Sequence, residues 1–542
     1  MNSLFRKLPI GVQSFEKLRQ EDFLYIDKTA YIYDLIKHGA PYFLSRPRRF
    51  GKSLLISTLK AYFEGKRELF KGLLIEKLTE GDPEAFTEYP VFHFDFNKAD
   101  YSKGISDSFK DSGDREEEIL PIEKVLDAHL SEWEKIYGAD SSSSTLALRF
   151  DHLLKEAGRK TGKRAVILVD EYDKPLLESD ESFTDANRRV FKGFFSVLKS
   201  DDEYIKFVFI TGVTKFSKVS IFSDINQLQD ISLNEAYSGI CGITEKEMIT
   251  AFMPEINALG ERRKLSEKEC LDKLKKMYDG YHFAEVSEGV YNPFSILNAF
   301  SERKFGSYWF ESGTPSFLIE MLKQTGFDPK KITEHSIYSN ERELSDYRTD
   351  NPDPVPLLYQ SGYLTISGYD DETEEYLLDY PNDEVRYGFL ECISPVFLNA
   401  ENEISPLDIR SFRNDIKAGD TGSLRERFIA LFARIPYPAD GDGKYVERDF
   451  QNVIYITFML LGQYIHTELH SSKGRADAVV ETKDIVYIFE FKCGKSAEEA
   501  LQQIEDKGYA VPYAADSRRI LKIGVNFDPE KRNLEGWKSV EG

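Results

Sequence analysis

The sequence has little cysteine. Four in 542 residues, Cys241, Cys270, Cys392 and Cys493, lie far apart and form no C-x-x-C pair, which argues against a zinc knuckle or a disulfide framework. No apolar run reaches the length of a transmembrane helix, and the opening MNSLFRKLPIGVQ lacks the apolar stretch of a secretory leader. Basic residues are outnumbered, 71 against 93 acidic, for a net charge of −22. That balance excludes wrapping nucleic acid over the whole surface and restricts any such contact to a local basic groove. Together these absences predict a cytoplasmic protein with no membrane partner. What is present, 41% hydrophobic and 30% charged residues, fits about two to four globular domains with real cores.

The stretch YFLSRPRRFGKSLLISTL, Tyr42 to Leu59, carries the first chemical signal. It follows the pattern G-x-x-x-x-G-K-[ST] at Gly51, Lys52 and Ser53 but has Arg46 at the first glycine position. An apolar run precedes the loop and helical spacing follows it. In a phosphate-binding loop, backbone N–H groups converge on the β- and γ-phosphates. Gly51 would allow the close approach, Lys52 would add positive charge, and the Ser53 hydroxyl would ligate Mg²⁺. The first glycine mainly eases the turn out of the strand, so Arg46 is tolerable in an ordinary backbone region. The competing reading is a basic turn that happens to contain Gly-Lys-Ser.

A second signal weighs against that reading. The apolar run Ala165 to Val169 leads straight into Asp170 and Glu171, and unpaired charge at the end of a buried strand is costly. At a nucleotide site, Asp170 holds the Mg²⁺ shell and Glu171 orients or deprotonates the attacking water. A strand leaving the core into a solvated acidic turn is the plain alternative. The next strand ends at Thr211-Gly212, where a polar side chain could sense the γ-phosphate. Strand and helix alternate from Tyr42 to Val213, as in a parallel α/β sheet covered on both faces. An acidic, serine-bearing stretch beginning at Tyr101 interrupts the alternation as an exposed insertion.

The stretch GRADAVVETKDIVYIFEFKCGKS reads as a hairpin, Ala476 to Thr482 and Ile485 to Lys492. If Lys483-Asp484 is a two-residue turn, Asp477 lies opposite Glu490, and Lys492 shares their face. A register slip of one residue would scatter the three. Carboxylates on rigid strands suit Mg²⁺, with Mn²⁺ as a substitute. Such a metal activates water and neutralises a scissile phosphate, while Lys492 positions water or steadies the transition state. The plain alternative is a salt-bridged surface hairpin. Lys473, Arg475, Arg518 and Arg519 are candidates for a local basic rim. In the middle of the chain, the aromatic clusters MYDGYHF and YWFESGTP read as packing rather than base stacking, and His282 as structural.

With PRRFGKSLL, VDEYDKPL, ITGVTKFSKVSIFSDINQLQDISL, MYDGYHF, YNPFSILNAF, YQSGYLTI and FEFKCGKSAEEALQQIEDKGYA, the chain resembles a known family over nearly its whole length. That family comprises bacterial proteins with an N-terminal AAA-ATPase-like domain and a C-terminal PD-(D/E)XK nuclease-like domain. The resemblance implies that the arginine-bearing loop, Arg48, Arg49 and Phe50 before Gly51-Lys52-Ser53, is the usual nucleotide-binding form. It places Phe23 to Thr29 beside the nucleotide, assigns Asp477, Glu490 and Lys492 to the nuclease signature, and adds Gln503 from the following helix. Ala476 stands where the signature's name implies proline, and Glu447 or Glu468 is the candidate for a further acid.

The expected architecture is α/β. A P-loop NTPase parallel sheet occupies 1–278, a helical and winged-helix-like connecting region 279–404, and an α/β restriction-endonuclease-like domain 405–542. The expected function is ATP binding and hydrolysis coupled to metal-dependent cleavage of nucleic acid, DNA ahead of RNA, with homo-oligomerisation left open. The contrasting expectation is a nucleotide-controlled interaction or signalling switch whose nuclease fold does not cut. A third is a plain ATPase whose C-terminal domain grips nucleic acid.

Overall fold

A computed structural model describes residues 6–101, 120–179, 181–215, 228–311, 321–322, 325, 327, 332, 337–345, 353–397, 406–434, 450, 453–454, 457–458 and 476–542. The insertion 102–119, both candidate acids Glu447 and Glu468, and the cations Lys473 and Arg475 lie outside the described residues.

Short runs rich in β-branched and aromatic residues form β1 (Pro41–Ser45), β2 (Val91–Asp95), β3 (Ala165–Asp170) and β4 (Ile205–Gly212), and the polar pair Gln229–Asp230 forms β5. They make one five-stranded sheet of order β2-β3-β4-β1-β5, parallel throughout. All of β3 is buried, the pattern expected of a parallel sheet covered on both faces. On one side Phe92, Phe94, Ile167 and Val169 join Phe150, Leu153, Phe191 and Phe194 from the helices after β2 and β3. Three further helices, α1 (Phe15–Gln20), α2 (Thr29–His38) and α3 (Lys52–Phe63), lie near the chain start. The Phe15 amide donates to Ser57 Oγ at 2.9 Å, fixing α1 on α3.

The register aligns the strand ends. Ser45 pairs with Gly212 and Leu44 with Thr211 across β1 and β4, while Asp95 pairs with Asp170 across β2 and β3. In open α/β sheets, ligands bind outside the carboxyl ends of the strands. Here those ends carry Ser45, Asp170 and Thr211 together.

The chain divides into two compact units, Met1–Trp309 with Tyr338–Asp383, and Phe310–Ile337 with Glu384–Gly542. Much of the stretch 279–404 therefore clusters with the first unit. A two-stranded ribbon pairs β6 (Ile243–Thr244) with β7 (Val290–Tyr291). Next, β8 (Ile337–Ser339), β9 (Thr365–Asp370) and β10 (Glu375–Asp379) form a sheet of order β8-β10-β9. Helices Glu341–Ser345 and Val355–Ser361 precede the β9–β10 hairpin. The tip of this hairpin is acidic, running through Asp370, Asp371, Glu372, Glu374 and Glu375.

In the second unit, β11 (Ala478–Glu481), β12 (Ile485–Cys493), β13 (Arg519–Asp528) and β14 (Asn533–Glu541) form a four-stranded mixed sheet in that order. Only β12 and β13 are parallel, so they need a crossover, and helix Ala497–Asp506 lies within it. Ser496 caps that helix by accepting from the Glu499 amide. The core beneath holds Phe489, Phe491 and Phe527, with Phe450 stacked on Phe527 at 4.4 Å. Among the described residues no helix is long and apolar enough to cross a membrane.

Candidate functional site

The loop from β1 into α3 is built around Arg46. Its guanidinium is buried and donates to the Ser45 and Ser232 carbonyls at 2.8 Å and to the Tyr237 carbonyl at 3.1 Å. It also lies over the Phe283 ring, 4.1 Å from the centroid. The residue in the first glycine's place thus staples the loop to the segment after β5. At the other end Gly51 has φ 97 and caps α3, a conformation with a steric cost for any other residue. Lys52 Nζ reaches back to the carbonyls of Arg46 (2.9 Å) and Pro47 (3.1 Å).

The three residues before Gly51 turn to the loop's walls. The Phe50 ring is buried against Tyr281 (4.7 Å) and Phe283 (5.6 Å). Arg49 lies over Phe294 at 4.9 Å. Arg48 stands 3.6 Å from Glu178, and its carbonyl accepts from Trp309 Nε1 at 3.2 Å. Phe23 to Thr29 forms a joint. Asp27 accepts from Thr29 and from the Leu74 amide, and Lys28 Nζ binds the Gly239 carbonyl and Glu247.

The structure brings Ser53, Asp170 and Thr211 together. Thr211 donates to Asp170 Oδ1 at 2.8 Å, and Ser53 lies close enough to the same carboxyl to favour its charged form. Burial pushes the Asp170 carboxyl upward, with the polar neighbours Ser53 and Thr211 opposing it. Glu171, at φ 51, donates its amide to Thr211 Oγ1 at 3.4 Å. The oxygen-rich set of Ser53 and Asp170, beside a helix start, fits Mg²⁺ with a polyphosphate. Asp173 is the residue that the sequence reading passed over. Burial pushes its carboxyl up to about 6, against hydrogen bonds from Thr214. Its spacing from Asp170 in VDEYD was the available signal.

At the second site the hairpin has the register that a two-residue turn requires. Val479 pairs with Ile488, Ala478 with Phe489, and the Thr482 amide donates to the Ile485 carbonyl at 2.8 Å. Continued by one pair, this sets Asp477 against Glu490. Asp477 Oδ2 accepts from the Phe491 amide at 2.7 Å. Lys492 Nζ donates to Glu490 Oε1 at 3.0 Å, and Gln503 Nε2 donates to that same oxygen. Gln503 arrives there because helix Ala497–Asp506 lies close on β13. Gly524 pairs with Glu490, and a Cβ on it would meet the Leu501 amide at 2.7 Å.

Glu490 is 2% exposed, and its Oε2 is buried without a hydrogen-bond partner. Burial, then the nearby Asp477 carboxylate, push its carboxyl upward, and Lys492 opposes them. A buried carboxylate oxygen left bare beside a second carboxylate fits a hard divalent cation, which keeps waters for its other positions. Among the described residues no group of three His, Cys, Asp or Glu is assembled.

The expected rim is different in kind. Arg518 is held by Asp516 and Glu481, the latter at 2.7 Å, and Arg519 by Glu541 at 2.8 Å. Opposite charge is thus within reach of each.

Fold and sites define a P-loop-type α/β domain joined to a nuclease-type mixed sheet. The chain belongs to the family that combines an AAA-ATPase-like domain with a PD-(D/E)XK nuclease-superfamily domain. The description "Predicted AAA-ATPase" matches residues 9–222 and "PD-(D/E)XK nuclease superfamily" matches residues 445–537. The chain is also 34% identical, over 543 residues and 98% of each chain, to an "Uncharacterized protein in vnfD 5'region" of Azotobacter chroococcum mcd 1.

Proposed function

We propose that the protein binds and hydrolyses ATP at the loop Gly51 to Ser53 and couples that cycle to metal-dependent cleavage of nucleic acid, DNA ahead of RNA, at Asp477, Glu490 and Lys492. The observation that carries the cleaving half is Glu490 Oε2, buried and unpartnered beside Asp477. Asp477 and Glu490 would hold Mg²⁺, or Mn²⁺ in its place. Such an ion supplies an activated water and neutralises phosphate charge. Lys492, on the same face, offers a proton donor and a cation to the phosphate oxygens. Gln503 orients Glu490 by holding Oε1.

In the first unit, Ser53 and Asp170 would hold the nucleotide's Mg²⁺, and Thr211 orients Asp170 while Glu171 directs water. Lys52 would exchange its loop carbonyls for phosphate oxygens.

A second reading, the nucleotide-controlled switch that does not cut, draws on the charge distribution. The tip of the β9–β10 hairpin is acidic, and Arg518 and Arg519 are already paired, which leaves less positive surface for a polyanion. The test is incubation of the purified protein with DNA and RNA, with and without Mg²⁺, Mn²⁺ and ATP. Fragments appearing only with metal support cleavage. Nucleotide-dependent binding without fragments supports the switch.

A further inference from the structure

The motif VDEYDKP contains an acid that the nucleotide chemistry leaves unused. Asp173 is 1% exposed, and a carboxylate buried that deeply must be compensated. All three hydrogen bonds to its Oδ2 come from the exit of β4: the Val213 amide (3.0 Å), the Thr214 amide (2.6 Å) and the Thr214 hydroxyl (2.8 Å). The preceding residue ties the same two segments. The Tyr172 amide donates to the Thr211 carbonyl at 3.0 Å and its hydroxyl to the Thr214 carbonyl at 3.0 Å.

Between these contacts lies Gly212, where an added Cβ would stand 2.7 Å from both Asp173 Oδ1 and the Tyr172 ring. Any side chain there would force the Tyr172 and Asp173 side chains to shift. The seam also bears on Glu171, whose φ of 51 lies in a region that L residues seldom adopt. Such a conformation persists where the surroundings over-determine it. Here they do so through the Glu171 amide on Thr211 Oγ1 and the Glu171 carbonyl, which accepts from the Lys174 amide at 3.1 Å.

We infer that Asp173 is a positioning residue for ATP hydrolysis, locking the exit of β4 onto the turn after β3 so that Glu171 and Thr211 face the γ-phosphate end of the site. The inference rests on the ATP-hydrolysis reading above. Asp173 acts through Glu171 and Thr211, so its loss must lower turnover while leaving the nucleotide's binding groups in place.

The test measures ATP affinity by calorimetry and steady-state turnover for full-length parent, Asp173→Ala, Asp173→Asn and Gly212→Ala. Displacing a reacting group by 1 Å costs up to ~100-fold. Asp173→Ala is expected to lose turnover on that order with affinity held within ~3-fold. Asp173→Asn keeps the shape and one acceptor, and is expected to show an intermediate turnover, lowered by ~3- to ~10-fold from the parent. Gly212→Ala, which pushes the two segments apart, behaves like Asp173→Ala. Parent-level turnover in Asp173→Ala overturns the inference, and so does an equal loss of affinity and turnover. If Asp173→Ala does not fold, Asp173→Asn decides: lowered turnover at unchanged affinity supports the inference, and unchanged turnover overturns it. A parent that neither binds nor hydrolyses ATP overturns the underlying reading as well, whereas an active parent with an indifferent Asp173→Ala overturns the inference alone.

Discussion

Gln503 donates its side-chain amide to Glu490 Oε1, the oxygen that also takes Lys492 at 3.0 Å. Two donors on one oxygen leave Oε2 bare and the carboxylate's orientation fixed. Partners that orient a metal ligand typically contribute ~10–100-fold in metal affinity. Gln503→Ala should weaken Mn²⁺ binding by that order in calorimetry while the fold stays intact. Undiminished Mn²⁺ affinity would mean that Gln503 only packs against the sheet.

Arg46→Gly restores the common phosphate-loop pattern but should damage this protein. It removes hydrogen bonds to the Ser45, Ser232 and Tyr237 carbonyls and leaves a void beside Phe283. The expected loss is roughly 2–4 kcal/mol, read from urea midpoints at unchanged slope. ATP affinity should fall with it. A variant as stable as the parent would remove the staple from the account.

Lys52→Ala and Glu171→Gln should separate binding from turnover. Removing the Lys52 ammonium should weaken ATP binding by at least ~10-fold, since a charge-assisted contact to phosphate is lost. Glu171→Gln should bind ATP like the parent and lose hydrolysis by ~100-fold or more. Equal ATP affinity in Lys52→Ala, or lost binding in Glu171→Gln, would reverse the two roles.

What could be read from the sequence was local. The hairpin register follows from a two-residue turn, because one fixed turn places every pair behind it, Asp477 against Glu490 included. Gly51, Lys52 and Ser53 were legible because a loop and its helix are contiguous. Arg46 was legible only as an exception to a pattern. Its acceptors, Ser232 and Tyr237, lie 186 and 191 residues away, and no periodicity connects them. Phe50 reads as part of the loop, yet its ring belongs to a cluster with Tyr281 and Phe283. Arg519 reads as part of a basic rim because its counter-charge, Glu541, reaches it only across the sheet, whereas Arg518 has Asp516 two residues away as well as the distant Glu481.

The most direct measurement compares cleavage of DNA and RNA by the parent, Asp477→Asn and Glu490→Gln, with Mg²⁺ or Mn²⁺, at matched purity and with ATPase activity monitored alongside. Each variant removes one negative charge from the metal site while keeping side-chain shape. The account predicts metal-dependent fragments from the parent, a loss of at least ~100-fold in both variants, and unchanged ATP hydrolysis. A parent that cuts nothing, or variants that cut as well as the parent, would contradict it.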